Sequence, residues 1–309
     1  MKNATKLAVV STTPAVQPQP LHSLVLLSLY APTWTAYKKD KQITAQVKKL
    51  NNVSDDVDAG SFNKLLLPEC DSLDKLKSYI GNVRSAWFYG RTMPWGENRG
   101  DRVHKAEDLP QTLQEFGDKQ EGLIPFKDAF RAEYEGMVAK AEFTLNEMFN
   151  PNDYPPIDVV MEKFQLKLSV RPLPNVNDVR VMNDIPPHIR ADIEDALKKD
   201  FDEAYATTAK AAFERLLKPV QHMAKTLRAY DTGEVKKLYD SVVDNVRNMA
   251  DMAHTLNITN DANIEKLADE MFKLVADLTS KDLKESEGHL RLKAKAAEDL
   301  AARIAKLMP

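Results

Sequence analysis

The sequence is poor in the residues that build disulfide-linked or sheet-rich proteins. Its 309 residues include 10 glycines, one cysteine and 7% aromatic residues, against 29% charged residues. The lone Cys70 excludes an intrachain disulfide and any metal site made of cysteines alone, and it is typical of a reducing compartment. Together with 17 prolines, this balance suits long helices that are interrupted at defined points rather than a sheet-rich core, so the composition indicates a mostly α-helical protein.

Long apolar runs are also missing from the chain. No stretch approaches the roughly 20 apolar residues of a membrane-spanning helix. A formal net charge of -3 gives no overall attraction to nucleic acid or to an anionic membrane. We therefore expect a soluble protein without a membrane partner, and nucleic-acid binding would need a local basic patch.

Sequence motifs of common enzymes are absent. The chain has no glycine-rich phosphate loop, no Gly-x-Ser-x-Gly and no His-Glu-x-x-His. Two isolated pairs, Asp251 with His254 and His104 with Glu107, favour surface hydrogen bonding over a metal site. The sequence therefore predicts no catalytic residue, no cofactor and no metal, and we expect a protein that is not an enzyme.

The N-terminal third predicts short elements. Residues 1–20 lack periodicity and are typical of a flexible arm. Residues 23–30 fit either a buried strand or the start of a helix, and 34–50 fit an amphipathic helix or an extended arm. Ser72 is a good N-cap for a helix that reaches Tyr89, with Gly90 as its stop.

The rest of the chain carries long apolar stripes at helical spacing. These predict helices over 109–149, with an interruption and a bend near Gly122 and Pro125, and over 187–230, with a kink at Pro219. Further helices are expected over about 235–256, from a cap at Asn260 or Asp261 to 278, and from a cap at Ser280 to the end. The last stripe fits a short coiled coil or packing against the chain's own helices.

One segment alternates like a β-strand. Phe164, Leu166, Leu168 and Val170 are separated by polar residues, and Val179 and Val181 follow a proline-containing turn. A lone ribbon of two strands is only marginally stable. Its apolar face must therefore rest on helices or pair with the strand near residues 24–29.

These patterns define the expected fold class and its divisions. We expect a mainly α protein, an elongated helical bundle with long, partly kinked helices and a small antiparallel β-ribbon at about 164–182. The predicted divisions are a flexible arm over 1–20, a helical body over 21–278 and a charged amphipathic C-terminal helix over 279–309.

Two clusters are candidates for binding. The first, a partner-binding loop, combines an aromatic anchor with arginines: Trp95, Arg91, Arg99 and Arg102. The second has the ingredients for phosphate contacts and base stacking: Trp34, Tyr37, Lys38, Lys39, Lys41, Lys48 and Lys49. Each also fits a structural role, the first as a clasp for its own loop and the second as a solvated helix face beside core aromatics.

Two motifs, one on each side of the long helix at 109–149, carry a family resemblance. They are Pro94-Trp95-Gly96 with Gly100-Asp101-Arg102, and Phe149-Asn150-Pro151-Asn152-Asp153-Tyr154-Pro155. With Phe164–Lys167, Asp240–Arg247 and Leu256–Asp261, they make residues 24–278 resemble a family of uncharacterised tailed-phage proteins. Some members are encoded near a MoxR-like AAA+ ATPase. The resemblance implies an accessory or adaptor role in the cytoplasm of an infected bacterium, and it supplies no catalytic residues.

The expected function follows from these observations. We expect a non-enzymatic phage protein that acts through protein contacts, with an AAA+ ATPase or a second copy of itself as partner. A single-stranded DNA-binding accessory of replication, recombination or packaging is the alternative. A virion component or an inhibitor of a host defence stays open as well.

Overall fold

The structure, a computed structural model, describes residues 23–54, 56–96, 100–173, 186–276 and 278–309. Its strands are β1 (Leu24–Tyr30), β2 (Tyr37–Lys39), β3 (Asn63–Leu65), β4 (Met93–Pro94), β5 (Arg102–Lys105) and β6 (Lys167–Pro172). Its α-helices are α1 (Lys41–Leu50), α2 (Asp71–Asn82), α3 (Tyr89–Arg91), α4 (Leu109–Leu145), α5 (Ile157–Met161), α6 (Pro187–Asp231), α7 (Ser241–Leu256), α8 (Ala262–Val275), α9 (Ser280–Glu285) and α10 (Glu287–Leu307). The protein is thus mainly α with a minor β component, as the composition predicts.

The chain forms two compact units. Unit 1 contains the described parts of Met1–Leu26, Met93–Glu107 and Pro172–Pro309, and unit 2 contains Leu27–Thr92 and Asp108–Arg171. The C-terminal helix α10 therefore belongs to unit 1. The flexible arm predicted for residues 1–20 lies outside the described residues, and the elongated shape stays a prediction.

The strands form two small sheets. One has the order β4, β5, β1, β6, and the other pairs β2 with β3. The segment at 24–30 is thus a strand rather than the start of a helix, and β6 is its neighbour, as one of the two predicted arrangements of the ribbon requires. The predicted return strand with Val179 and Val181 lies outside the described residues.

Unit 1 is built around packed helices. The helix α10 packs against α6, α8 and α9, and its buried stripe consists of Leu290, Ala294, Ala297, Ala301 and Ile304. Packing against the chain's own helices, one of the two predicted uses of this stripe, is therefore confirmed. The small alanine side chains let the two helix backbones approach each other.

A buried asparagine organises the connection between α7 and α8. Asn257 is 1% exposed, and its side-chain oxygen accepts a hydrogen bond from the backbone N–H of Asp261 at 2.9 Å. Its side-chain amide donates to the Asp261 carbonyl at 3.1 Å and to a Glu265 carboxylate oxygen at 2.8 Å. Asp261 in turn caps α8 through the N–H of Asn263, as predicted.

Unit 2 has an aromatic interior. The rings of Phe130 and Phe164 are fully buried, with their centroids 5.9 Å apart in an edge-to-face arrangement. Trp87 stacks on Phe116 at 5.9 Å, and its indole N–H donates to Glu115 at 2.9 Å. Aromatic pairs in such arrangements stabilise a protein by more than the burial of their surface area alone.

Several predicted helix boundaries are wrong. Ser72 does not cap α2, because the helix begins at Asp71 and Ser72 is buried in its first turn. Gly90 does not stop the helical segment, which continues through π-helical Val83–Phe88 to Arg91. The predicted last helix is two helices, with Thr279 as the cap of α9 and Ser286 as the cap of α10.

Two further differences concern loops and prolines. The helix expected from residue 235 begins at Ser241, although Leu238 is buried as the apolar stripe requires. The helices α4 and α6 continue through Pro125 and Pro219, so the predicted interruption of α4 is absent. The bends at these prolines stay predictions.

Candidate functional site

The region from Tyr37 to Leu65 in unit 2 carries most of the second predicted cluster. We call it the lysine module; it consists of β2, α1, the loop at 51–62 and β3. The strands pair in antiparallel register, with Lys38 opposite Lys64. The carboxylate of Asp40 caps α1 by accepting the Ile43 N–H at 3.0 Å, while Lys48 and Lys49 lie in the last turn, where positive charge is favoured.

The helix α1 is unusual because it buries none of its residues. Val47 is 47% exposed and Leu50 is 81% exposed, although a surface helix normally packs its apolar residues against the rest of the protein. Beside α1 lies a cavity of about 440 Å³, which we call the α1 groove. Its lining comprises Thr44, Val47, Lys48, Asn51, Val53, Ala59, Gly60, Ser61 and Phe62.

The lysine module is locally cationic. Residues 37–65 contain six lysines and four aspartates, a net charge of +2, whereas the whole chain carries -3. Lys38, Lys39, Lys41 and Lys49 are exposed. Lys48 instead donates a hydrogen bond to the Val57 carbonyl at 2.6 Å and so holds the loop against α1.

A buried ion cluster anchors the lysine module to the turn at 149–155. Lys64 is 6% exposed; its ammonium lies 2.9 Å from an Asp153 oxygen and 3.7 Å from an Asp40 oxygen, and it donates to the Met148 carbonyl at 2.6 Å. The Tyr154 hydroxyl donates to the Leu66 carbonyl at 2.9 Å. These contacts fix the base of the module, while α1 itself stays uncovered.

Trp34, the aromatic residue expected to stack on bases, faces the interior of unit 2. Its ring lies 6.5 Å from that of Phe130 and 6.2 Å from that of Tyr134. Burial, with a smaller effect from Tyr154, raises the pKa of Tyr134 to about 12, and the Tyr134 hydroxyl donates to the Pro155 carbonyl at 2.7 Å. Tyr37, by contrast, is 57% exposed on the module.

The structure places the first predicted cluster largely in internal contacts. In unit 1 the Trp95 ring packs edge-on against Phe201 at 5.2 Å, and its backbone N–H donates to the Asp101 carbonyl at 3.3 Å. Arg102 is buried, with 8% exposure. The burial of Arg215, with a smaller effect from the charge of Arg102, lowers the pKa of Arg215 to about 10. The loop thus has the geometry of a clasp on α6.

The remaining arginines of that cluster are placed differently. Arg91 belongs to unit 2, where its guanidinium lies 2.6 Å from a Glu115 oxygen. Arg99 lies outside the described residues. Trp95, Arg102 and Arg91 therefore each have internal contacts, and the sequence alone did not distinguish such contacts from binding ones.

The two isolated pairs also differ from expectation in part. His104 is fully buried rather than at the surface, and His254 contacts Glu265 at 3.5 Å. In the ranges that the structure describes, no group of three or more His, Cys, Asp or Glu residues is arranged to hold a metal ion. Nor does any helix in those ranges combine the length and apolarity needed to cross a membrane.

Sequence reasoning missed two features of the site. Lys64 sits in a short segment, Asn63-Lys64-Leu65, that looks like an exposed strand end, so its burial had no local signal. The α1 groove depends on how the loop at 51–62 folds back, which periodicity does not encode. Comparisons with protein-family models, with curated proteins and with solved structures gave no match.

Proposed function

We propose that the protein is a non-enzymatic binding protein, an accessory or adaptor that holds an acidic segment of a partner protein in the α1 groove. The observation that carries the proposal is the uncovered apolar side of α1. Val47 and Phe62, which is 39% exposed, both line the groove, and Leu50 on α1 and Val57 in the adjoining loop are exposed apolar residues of the same module. Grouped exposed apolar residues rimmed by polar ones are typical of interaction sites.

The charge of the lysine module selects the chemistry of the occupant. Lys38, Lys39, Lys41 and Lys49 are exposed on the same module as Val47 and Leu50, so an amphipathic segment with acidic flanks could cover the apolar residues and meet the lysines. An amphipathic helix that binds in a groove makes its apolar contacts at helical spacing, through residues three and four positions apart. The Phe62 backbone N–H donates to the Thr44 hydroxyl at 3.0 Å, and Lys48 donates to the Val57 carbonyl, so the two walls of the groove are already tied together before a partner binds.

The role and its setting are part of the same proposal. The family resemblance directs the first search to an AAA+ ATPase in an infected bacterium, with the present chain as its adaptor. Self-association is the competing occupant, because a second copy would also cover Val47 and Leu50. A virion component would bind the same way but would be recovered in particles.

A capture experiment from infected cells tests the proposal. We expect Val47→Ser with Leu50→Ser to lose the captured partner, because the substitutions remove one apolar side chain that lines the groove, Val47, and the exposed apolar side chain of Leu50 on the same helix. Phe143→Ser is the matched control, since Phe143 is 80% exposed on α4 and outside the module. Retention of every partner by the double variant would overturn the proposal, and light scattering of the purified protein would reveal self-association.

Single-stranded DNA is a second candidate ligand, favoured by one specific observation. Tyr37, Lys38 and Lys39 follow one another on β2, all exposed, and Lys41 and Lys49 are exposed on α1, so the module offers an aromatic ring and cations for stacking and phosphate contact. We expect binding of an oligonucleotide to weaken steeply between low and moderate salt, and Lys39→Gln with Lys41→Gln to reduce that slope. A salt-independent or absent anisotropy change would reject this candidate.

A further inference from the structure

A second cavity, in unit 1, combines lysines and tyrosines in a way that the α1 groove does not. It has a volume of about 360 Å³ and lies where the end of α6, the loop before α7 and α9 meet. The residues that matter for its chemistry are Tyr230, Lys236, Lys237, Tyr239, Asp240 and Lys284. We call it the lysine–tyrosine pocket.

The walls of this pocket are held in place. Leu238 is 2% exposed and fixes the loop to the core of unit 1. The backbone N–H of Ser280 donates to Asp240 at 3.0 Å, which ties the loop to the start of α9. The backbone N–H of Val235 donates to the Ala229 carbonyl at 3.0 Å. A loop tied at these points can hold its side chains near a ligand without first ordering itself.

The charge of the pocket favours an anion. Three lysines line it, and Asp240 is its one acidic lining residue. Hydrogen bonds from Ser280, with a smaller effect of the Lys284 charge, lower the pKa of Asp240, so this carboxylate is already engaged. Among the described residues, Lys236 and Lys237 form no ion pair with a carboxylate. Two ammonium groups with three donors each are thus available to a ligand.

The tyrosines favour a ligand that also has a flat ring. Tyr239 is 63% exposed, so a face of its ring is accessible, and Tyr230 lies half-buried across the same cavity. Bases stack on aromatic side chains irrespective of sequence, because every base has a flat π-face. Lysines act as point charges for phosphate and need no fixed bidentate geometry.

We infer that the lysine–tyrosine pocket binds a nucleotide through its 5′-phosphate, with the phosphoryl oxygens at Lys236, Lys237 and Lys284 and the base against Tyr239. The recognised group is a nucleoside 5′-phosphate, either free or at the end of a single strand. This site lies in unit 1 and does not rest on the function proposed for the α1 groove.

Calorimetric titration of the full chain with dAMP tests the inference. We expect measurable binding of dAMP below about 10 mM, weaker binding of inorganic phosphate and none of adenosine. Lys236→Gln with Lys237→Gln should weaken dAMP binding about tenfold or more, because two of the three cations are removed. The matched control is Lys225→Gln with Lys266→Gln, two exposed lysines of the same unit. Thermal unfolding of each variant establishes that it is folded.

A second variant separates the phosphate from the base. Tyr239→Ala should weaken dAMP binding while leaving phosphate binding unchanged. Equal affinity of the wild type for dAMP and adenosine, or unchanged dAMP binding in the Lys236→Gln and Lys237→Gln variant, would overturn the inference. So would a Tyr239→Ala variant with unaltered dAMP affinity, since the site would then recognise phosphate alone. A 5′-phosphorylated oligonucleotide that binds more tightly than both dAMP and its unphosphorylated form identifies a strand end as the source.

Discussion

At the scale of single residues, Gly122 sets the distance between α2 and α4. A β-carbon at this position would lie 2.4 Å from the Tyr79 hydroxyl oxygen and 3.3 Å from the ring carbon that bears it. The Tyr79 hydroxyl donates to the Lys119 carbonyl at 2.9 Å, and the ring stacks on Phe126 at 4.8 Å. The bend that the sequence predicts near this glycine stays a prediction, and the structure adds a packing role for Gly122 within a continuous helix.

Substitution of Gly122 should therefore destabilise the protein. We expect Gly122→Ala to lower the free energy of unfolding by about 1–3 kcal/mol, although alanine favours helix by about 1 kcal/mol. In a Tyr79→Phe background the nearest clashing atom is gone, so the loss should shrink. Denaturant unfolding measures both.

The control for this substitution lies in the same helix. A β-carbon at Gly136 would meet no neighbouring atom within 4 Å, so Gly136→Ala should leave stability unchanged or raise it by up to about 1 kcal/mol. Equal effects of Gly122→Ala and Gly136→Ala would contradict the packing role.

Lys64 and Asp153 form the residue pair on which the lysine module rests. Removing Asp153 would leave the buried Lys64 ammonium with Asp40, 3.7 Å away, as its nearest carboxylate. We expect Asp153→Ala to lower the free energy of unfolding by roughly 2–4 kcal/mol. Chemical denaturation followed by fluorescence provides the measurement.

An exposed pair gives the matched comparison. Asp158 lies 2.6 Å from Arg131, but its side chain is 81% exposed. Asp158→Ala should cost less than about 1 kcal/mol, as is usual for surface pairs. A similar cost for both aspartates would mean that the Lys64 cluster does not anchor the module.

At the scale of secondary-structure elements, the seam between α10 and α6 depends on small side chains. Ala294 and Ala297 are fully buried there. Ala297→Leu should lower the free energy of unfolding by about 1–3 kcal/mol, because three added carbons have no space at this contact. Ala302→Leu, an exposed substitution on the same helix, is expected to have little effect. Thermal melts of the two variants compare them directly.

Much of the element order was predictable because long helices carry periodic apolar residues. The bounds of α6, the cap of α8 at Asp261 and the buried stripe of α10 follow from local patterns. The π-helical segment Val83–Phe88 and the break between α9 and α10 were not predictable. Ser286 can cap a helix or lie within one, and only tertiary packing decides between these states.

The candidate site was predictable in composition but not in arrangement. The lysines near Tyr37 were identified, yet Trp34 packs on Phe130 and Tyr134, and Lys64 enters a buried ion cluster. Both outcomes depend on contacts between residues about 90 or more positions apart, such as Lys64 with Asp153, which helical or strand periodicity does not record.

At the scale of the whole molecule, each compact unit is assembled from separated segments of the chain. Residues 27–92 and 108–171 form unit 2, while the segment from Met93 to Glu107 belongs to unit 1. Composition does not change at residue 92 or 107, so the sequence offered no boundary there. The predicted divisions at residues 20 and 278 stay predictions.

The tyrosines of unit 2 should make its stability sensitive to alkaline pH. Burial raises the pKa of Tyr134 to about 12 from its ordinary 10.0, and burial also raises the pKa of Tyr154. Between pH 10 and about pH 12, Tyr134 has lost its proton in the unfolded chain but keeps it in the folded unit. The stabilisation is therefore complete below pH 10 and is lost as the pH rises to about 12. The loss attributable to Tyr134 is up to roughly 3 kcal/mol.

The three tryptophans allow each unit to be followed separately. Trp34 and Trp87 lie in unit 2 and Trp95 lies in unit 1, so Trp95→Phe leaves reporters in unit 2 alone. In that background, Tyr134→Phe should flatten the fall in stability above pH 10 while costing about 1 kcal/mol at neutral pH through the lost bond to Pro155. An unchanged slope would contradict the assignment to Tyr134.

The buried amide of Asn257 has a practical consequence for producing this protein. Asn257-Ile258-Thr259 matches the acceptor motif for an N-linked sugar, but both donors of that amide are engaged inside unit 1. In a eukaryotic secretory host, an oligosaccharyltransferase that acts before folding would attach a glycan to Asn257. Because this side chain must be buried between α7 and α8, the product would not fold. Asn52-Val53-Ser54, where Asn52 is exposed, would carry a glycan at the surface. A bacterial cytoplasm, which transfers no such sugar, is therefore the host of choice.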